Sequence, residues 1–119
     1  MVTKSPNEIR QQLLIKLKRQ SRNPGGRIWR TLFEKLQSPR QNRVAVNVGD
    51  LQHHFTKGRI MAVPGKVLSD GIIKDKLEVA AFTFSAQARA KIEAQGGKCL
   101  TLEELMEKNP TGKEVMLVS

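Results

Sequence analysis

Eight residues, Leu77 to Phe84 (LEVAAFTF), set the tightest limit on what this chain can fold into. They form its most strand-like run, and the near-continuous apolar pattern is that of a strand buried on both faces. Ser85 follows directly and can cap a helix over about 86–95, ending at Gly96-Gly97 as a left-handed stop. The apolar side of that helix reads as Ala86, Ala90 and Ala94, with Ala88 and Ile92 on a neighbouring stripe. Small residues there let a helix approach a sheet closely. Lys98-Cys99-Leu100 is a short strand, and Thr101 with Glu104 forms a capping box over a helix at 102–108. Asn109-Pro110 stops that helix, and Val115 to Val118 reads as a final strand.

The N-terminal third is different. Ser5 caps, Pro6 suits the first helical position and Glu8 completes a capping box, so a helix is expected over about 6–21. Ile9, Leu13 and Leu17 recur every fourth residue, with Leu14 widening the stripe, and Asn23-Pro24-Gly25-Gly26 ends it. A second helix over about 27–37 carries Ile28, Trp29, Leu32, Phe33 and Leu36 on one face. Ser38 to Asn42 breaks it. Val44, Val46 and Val48 alternate as in a strand, Asp50 is placed to cap a short helix over Leu51–Thr56, and Gly58 closes that helix. Arg59–Val63 is the next strand. Pro64-Gly65 reads as a turn, Val67-Leu68 as a short extended piece, and Asp70-Gly71 as a second, hairpin-like turn.

The result is a small mixed α/β domain: a body at 44–119, with residues 1–43 as a basic helical extension packed on it, one structural unit overall. The chain length of 119 residues suits a single domain. With 39% hydrophobic residues a core can form, an aliphatic one, since the aromatics are four Phe, one Trp and no Tyr. One cysteine excludes an internal disulfide and fits a reducing compartment. No apolar run reaches the roughly 18 residues of a membrane span. Met1 to Pro6 does not resemble a signal peptide, so a cytoplasmic location is expected.

Enzyme signatures fail. Gly65-Lys66 lacks the upstream Gly and following Ser/Thr of a phosphate loop, Ile60 and Val67 standing there instead. His53 and His54 are adjacent and would diverge by about 100° on a helix, a poor pair for one metal. Cys99 has no Cys-x-x-Cys partner, and Glu103, Glu104 and Glu107 read as helix-terminal and solvated carboxylates. No cofactor, metal or small-molecule substrate is expected.

Charge is the informative property. The net charge is +10, and residues 1–43 hold 11 Lys/Arg against Glu8 and Glu34, a surplus of +9. Arg10, Lys16, Lys18, Arg19 and Arg22 decorate the first helix, Arg27 and Arg30 the second, and Arg40 and Arg43 flank the break. Most are Arg, whose planar fork pairs with phosphate oxygens. Such asymmetry is the footprint of a polyanion-binding surface. With so few aromatics available for stacking, folded RNA recognised by shape and phosphate fits best. A DNA-binding regulator using helix 27–37 is an alternative, and an RNA-modifying enzyme employing Cys99 or a histidine is a third reading.

Several ordered segments then resemble one family. Ile28-Trp29-Arg30, Pro39-Arg40-Gln41-Asn42-Arg43 with Val46-Asn47, and Val63 through Gly71 (VPGKVLSDG) are similar to the archaeal and eukaryotic large-subunit ribosomal protein family called L-eighteen-e. Val79–Ser85, Ala88, Gly96-Gly97 and Asn109–Gly112 follow in the order of that family. The resemblance spans about Ile9 to Val118. It implies the fold of ribosomal protein L-fifteen, irregular strand–strand–helix units behind an N-terminal extension. It also implies a non-enzymatic role, binding large-subunit ribosomal RNA and neighbouring ribosomal proteins, and an archaeal source. Arg40, Arg43 and Lys66 match the family pattern and are expected to contact RNA, whereas Gln41 stands where the family more often has Arg. Arg19, Arg22, Arg27 and Arg30 are expected contacts on charge distribution.

Overall fold

The computed structural model describes residues 6–22, 26–37 and 44–118. The elements run α1 (Pro6–Gln20), α2 (Arg27–Gln37), β1 (Val44–Asn47), α3 (Val48–His54), β2 (Ile60–Leu68), β3 (Glu78–Phe84), α4 (Ala86–Ala94), β4 (Lys98–Thr101), α5 (Leu102–Lys108) and β5 (Val115–Leu117). The expected mixed α/β class is the observed one. Ser5, Asn23–Gly25 and Ser38–Asn42, read above as cap and breaks, lie outside the described residues.

Every strand pairing is parallel, in the order β1-β2-β3-β4, with β5 also against β2. The first half of β2 pairs with β5 (Ile60–Ala62 against Val115–Leu117), and its second half with β1 (Gly65–Leu68 against Val44–Asn47). Pro64 lies between the two. On the other side, Val63 faces Ala81 and Lys66 faces Thr83, so two residues of β2 oppose one of β3. Pro64-Gly65 is therefore a buried bulge in a continuous strand, not the turn its composition suggests. Proline has no N–H to donate, and a bulge where the ladder is already interrupted accommodates it.

The two faces of the sheet carry two clusters. Met61, Val63, Val67, Val79 and Ala81 pack with Val48 and Leu51 of α3 and Ala88 and Ile92 of α4. Ala62 and Ala80, cross-strand partners, point the other way and pack with Leu13 and Leu17 of α1, Trp29, Leu32 and Leu36 of α2, and Leu102, Leu105 and Met106 of α5. Alternation along a strand produces this division. It covers the centre of β3 on both sides, as LEVAAFTF predicts, while Phe82 and Phe84 are only half-buried and Thr83 is exposed. In α4 the buried residues are Ala88 and Ile92, whereas Ala86, Ala90 and Ala94 are exposed, reversing the expected stripe. One Ile at the right spacing outweighs three alanines in buried apolar area.

Two caps match expectation: Ser85 Oγ accepts from Ala88 N–H, and Thr101 Oγ1 from Glu104 N–H. One does not. α3 starts at Val48 behind Asn47, and Asp50 is its third residue, whose carboxylate accepts from Asn47 N–H at 3.2 Å. Asp50 thus closes a capping box rather than providing the N-cap.

The hairpin expected at Asp70-Gly71 is also replaced. Because β2 and β3 are parallel, residues 69–77 return the chain across the sheet without a helix. Neighbouring helices hold this crossover. Gln52 Oε1 accepts from Lys74 and Asp75 N–H (2.7 and 3.1 Å) while its Nε2 donates to Asp75 Oδ2. Lys91 Nζ donates to the carbonyls of Ser69 and Gly71. Gly49 N–H donates to Asp70 O at 2.9 Å, and this close approach admits no side chain. Gly71 has φ 108°, and a Cβ there would lie 2.4 Å from Gly49 Cα.

Gly71→Ala should therefore lower stability by about 2–4 kcal/mol, combining left-handed strain with backbone overlap. Gly58→Ala, at φ 85° with open space around it, should cost only about 1–2 kcal/mol. Urea unfolding of the two variants beside the parent measures the difference, and equal losses would rule out the steric account.

Candidate nucleic-acid interface

The basic N-terminal helices are seated on the body through their apolar sides. Leu13 and Leu17 of α1 and Trp29, Leu32 and Leu36 of α2 are buried. Trp29, expected in the core, is fully enclosed, and its Nε1–H donates to Pro110 O at 2.7 Å. Gln20 Nε2 donates to the same carbonyl at 2.8 Å. The Asn109-Pro110 helix stop is thus also an anchor for α1 and α2. Leu14, Ile28 and Phe33 are half-buried beside this cluster.

With the apolar sides fixed inward, the charged sides face out. Lys18, Arg19 and Arg22 are exposed and line one shallow surface depression with Ile15, which is 60% exposed. Arg27 and Arg30 are exposed on α2, and Arg30 approaches Glu34 one turn on at 3.4 Å. That pair is solvent-exposed and weak, so the guanidinium is not locked away. Lys16 pairs with Glu103 of α5 at 2.8 Å, stitching α1 to the body. Lys66 projects from β2 into solvent in the cross-strand row Ala45–Lys66–Thr83, all exposed. Of the expected contact residues, Arg19 and Arg22 share a surface, Arg27 and Arg30 share the next helix, and Lys66 stands on the sheet. Arg40 and Arg43 lie outside the described residues.

Among the described residues no polar or charged side chain is buried, and no group of three or more His, Cys, Asp or Glu is placed to hold a metal ion. His53 and His54 are both exposed, with their rings edge-on. Cys99 is half-buried, and burial pushes its thiol pKa up, opposed by nearby Arg89 and reinforced by Glu93. A raised thiol pKa is the opposite of what a nucleophilic cysteine needs. No helix is long and apolar enough to cross a membrane among the described residues. The surface is suited to binding a polyanion by charge and shape. Residues that sequence reasoning did not single out, Gln20, Gln52 and Lys91, act as fasteners through side chain–backbone bonds, which leave no periodic signal.

Alkylation of Cys99 by iodoacetamide at neutral pH should run well below the rate of the urea-unfolded chain, because thiolate is scarce and access partial. Equal rates would contradict the protected setting.

The family described as ribosomal protein 60S L18 and 50S L18e matches residues 2–119. The chain is 41% identical over 115 residues to the large ribosomal subunit protein eL18 of Methanococcus maripaludis, covering 97% of this chain and 96% of the relative. It is 43% identical over 119 residues to the protein of that name from Methanopyrus kandleri, covering 95% and 94%. The counterpart in Methanothermobacter thermautotrophicus is 38% identical over 118 residues, covering 98% and 96%. With a family match over nearly its whole length and archaeal relatives that align end to end, this chain belongs to the L18/L18e family of large-subunit ribosomal proteins.

Proposed function

We propose that this chain is a non-enzymatic structural constituent of the large ribosomal subunit in the cytoplasm, binding and stabilising folded large-subunit ribosomal RNA beside neighbouring ribosomal proteins. The observation that carries the reading is membership of a family whose relatives are named large ribosomal subunit proteins. The surface chemistry agrees with it. Residues 1–43, with a surplus of +9, serve as a basic helical extension packed on the 44–119 body. Arg19 on α1, Arg22 in the turn after it and Arg27 and Arg30 on α2 are proposed to meet phosphates, and Lys66 to meet them from the sheet. Arg40 and Arg43 join them on motif and charge.

The mechanism is charge neutralisation with shape fit. A helix face anchored by buried Trp29 loses little further conformational entropy on binding, so its cations act on an already ordered scaffold. Each neutralised phosphate releases counterions, which makes the affinity fall with salt. No observation favours the DNA-binding alternative.

With about six to ten phosphates engaged, affinity for a large-subunit ribosomal RNA transcript should drop roughly 10³–10⁵-fold between 50 and 200 mM salt. Arg19→Glu with Arg22→Glu should reduce the slope of log affinity against log salt by about two while leaving the unfolding midpoint near that of the parent. Filter binding across a salt series reads both. In lysate, the chain should sediment with large subunits at low salt. A chain that stays at the top of the gradient would overturn the reading.

A further inference from the structure

A second basic surface lies outside the N-terminal third. At the end of the sheet where β2, β3 and β5 begin, a groove of about 610 Å³ is lined by Phe55, Lys57, Arg59, Lys76, Lys108 and Lys113 among others. The acidic residues on its wall are Asp75, Glu78 and Glu114. Asp75 is held by the neutral amide of Gln52 and keeps its charge, and Glu78 faces Lys108 at 3.9 Å, so the cations of the lining outnumber its carboxylates. Lys57, Arg59, Lys76 and Lys113 are exposed and enter no salt bridge among the described residues. Half-buried Phe55 and Ile60 add an apolar wall. The groove therefore offers several uncommitted cations beside a small apolar surface, which matches a sugar–phosphate strand better than a compact anion.

Its position is the second observation. The groove is flanked by Asn109, while a smaller, charge-balanced cleft lined by Lys16, Arg19 and Gln20 of α1 and by Glu103, Met106 and Glu107 of α5 is flanked by Pro110. Adjacent residues of one segment thus wall both hollows, and Pro110 O binds α1 and α2 on that side. Asn109 Nδ2 donates to Lys113 O, holding the segment in a tight loop whose far end presents the Lys113 side chain.

We propose that the groove at the strand starts is a second ribosomal RNA contact, in which a backbone segment lies beside the 109–113 loop and meets Lys57, Arg59 and Lys113. The inference rests on the RNA-binding reading above and extends it to residues of the body, whose overall charge is nearly balanced. An acidic protein segment is the competing occupant.

The test compares the full chain with Lys57→Ala/Arg59→Ala/Lys113→Ala, using a transcript of large-subunit ribosomal RNA across a salt series. These exposed side chains contribute no described bond to the fold, and an unchanged thermal unfolding midpoint checks that. The triple variant should lose about three from the salt slope, in addition to the loss from the α1 variant when the two are combined. If the triple variant binds as the parent does while the α1 variant is weakened, the groove faces something other than RNA and the inference fails alone. If the parent itself shows no salt-dependent binding, the RNA-binding reading and the groove proposal fail together.

Discussion

The buried indole of Trp29 is the point on which the arrangement of the basic surface depends. A fully enclosed tryptophan needs an acceptor for its N–H, and here the segment after α5, brought against α2, supplies it. Pro110 O accepts from Trp29 and from Gln20, using both lone pairs of one carbonyl. The carbonyl therefore ties α1 and α2 to the segment that follows α5, some eighty to ninety residues away. Ala62 and Ala80, paired across the sheet centre, share that cluster, and their small side chains leave room for the indole and the helix leucines. Once that face is closed, the orientation of α1 and α2 is set, and Arg19, Arg27 and Arg30 face solvent.

The parallel sheet imposes the second constraint. Each return crossing needs a connection, and the crossover at 69–77 has no helix to stiffen it. Its backbone polar groups are met instead by Gln52, Lys91 and the Gly49 amide. Lys91 is for this reason a structural cation, committed to the carbonyls of the crossover. The bulge at Pro64-Gly65 does comparable work within β2, letting one strand pair with β5 along its first half and with β1 along its second.

Local features with a strong single-residue chemistry were legible in the sequence. Ser85 and Thr101 cap where expected, α1 and α2 show their helical stripes, and the central strand is covered on both faces. What was not legible depends on partners far away. Pro64-Gly65 and Asp70-Gly71 have turn composition, yet neighbouring parallel strands convert one to a bulge and the other to a bend in a crossover. Asp50 and Asn47 are both capable N-caps, and only the position where β1 ends decides between them. The alanine-rich stripe of α4 lost to Ile92 because burial follows area. For the interface, the N-terminal surplus was plain from charge counts, whereas its grouping into Arg19 with Arg22 needed the helix to be placed.

The same reasoning explains why a charge count understates the body. Residues 44–119 carry nearly equal numbers of basic and acidic side chains, but the two signs are employed differently. Asp50 and Glu104 sit in helix first turns as capping carboxylates, where the positive helix end offsets them. Glu103 is paired by Lys16 and Glu93 by Arg89, while Asp75 is held by the neutral Gln52 amide and keeps its charge. The lysines and arginines at 57, 59, 66, 76 and 113 have no such duties among the described residues. A nearly neutral sequence therefore presents a surface whose uncommitted charges are mostly positive. The number of phosphates such a surface is able to neutralise is set by cations placed to reach them, and counterion release scales with that number.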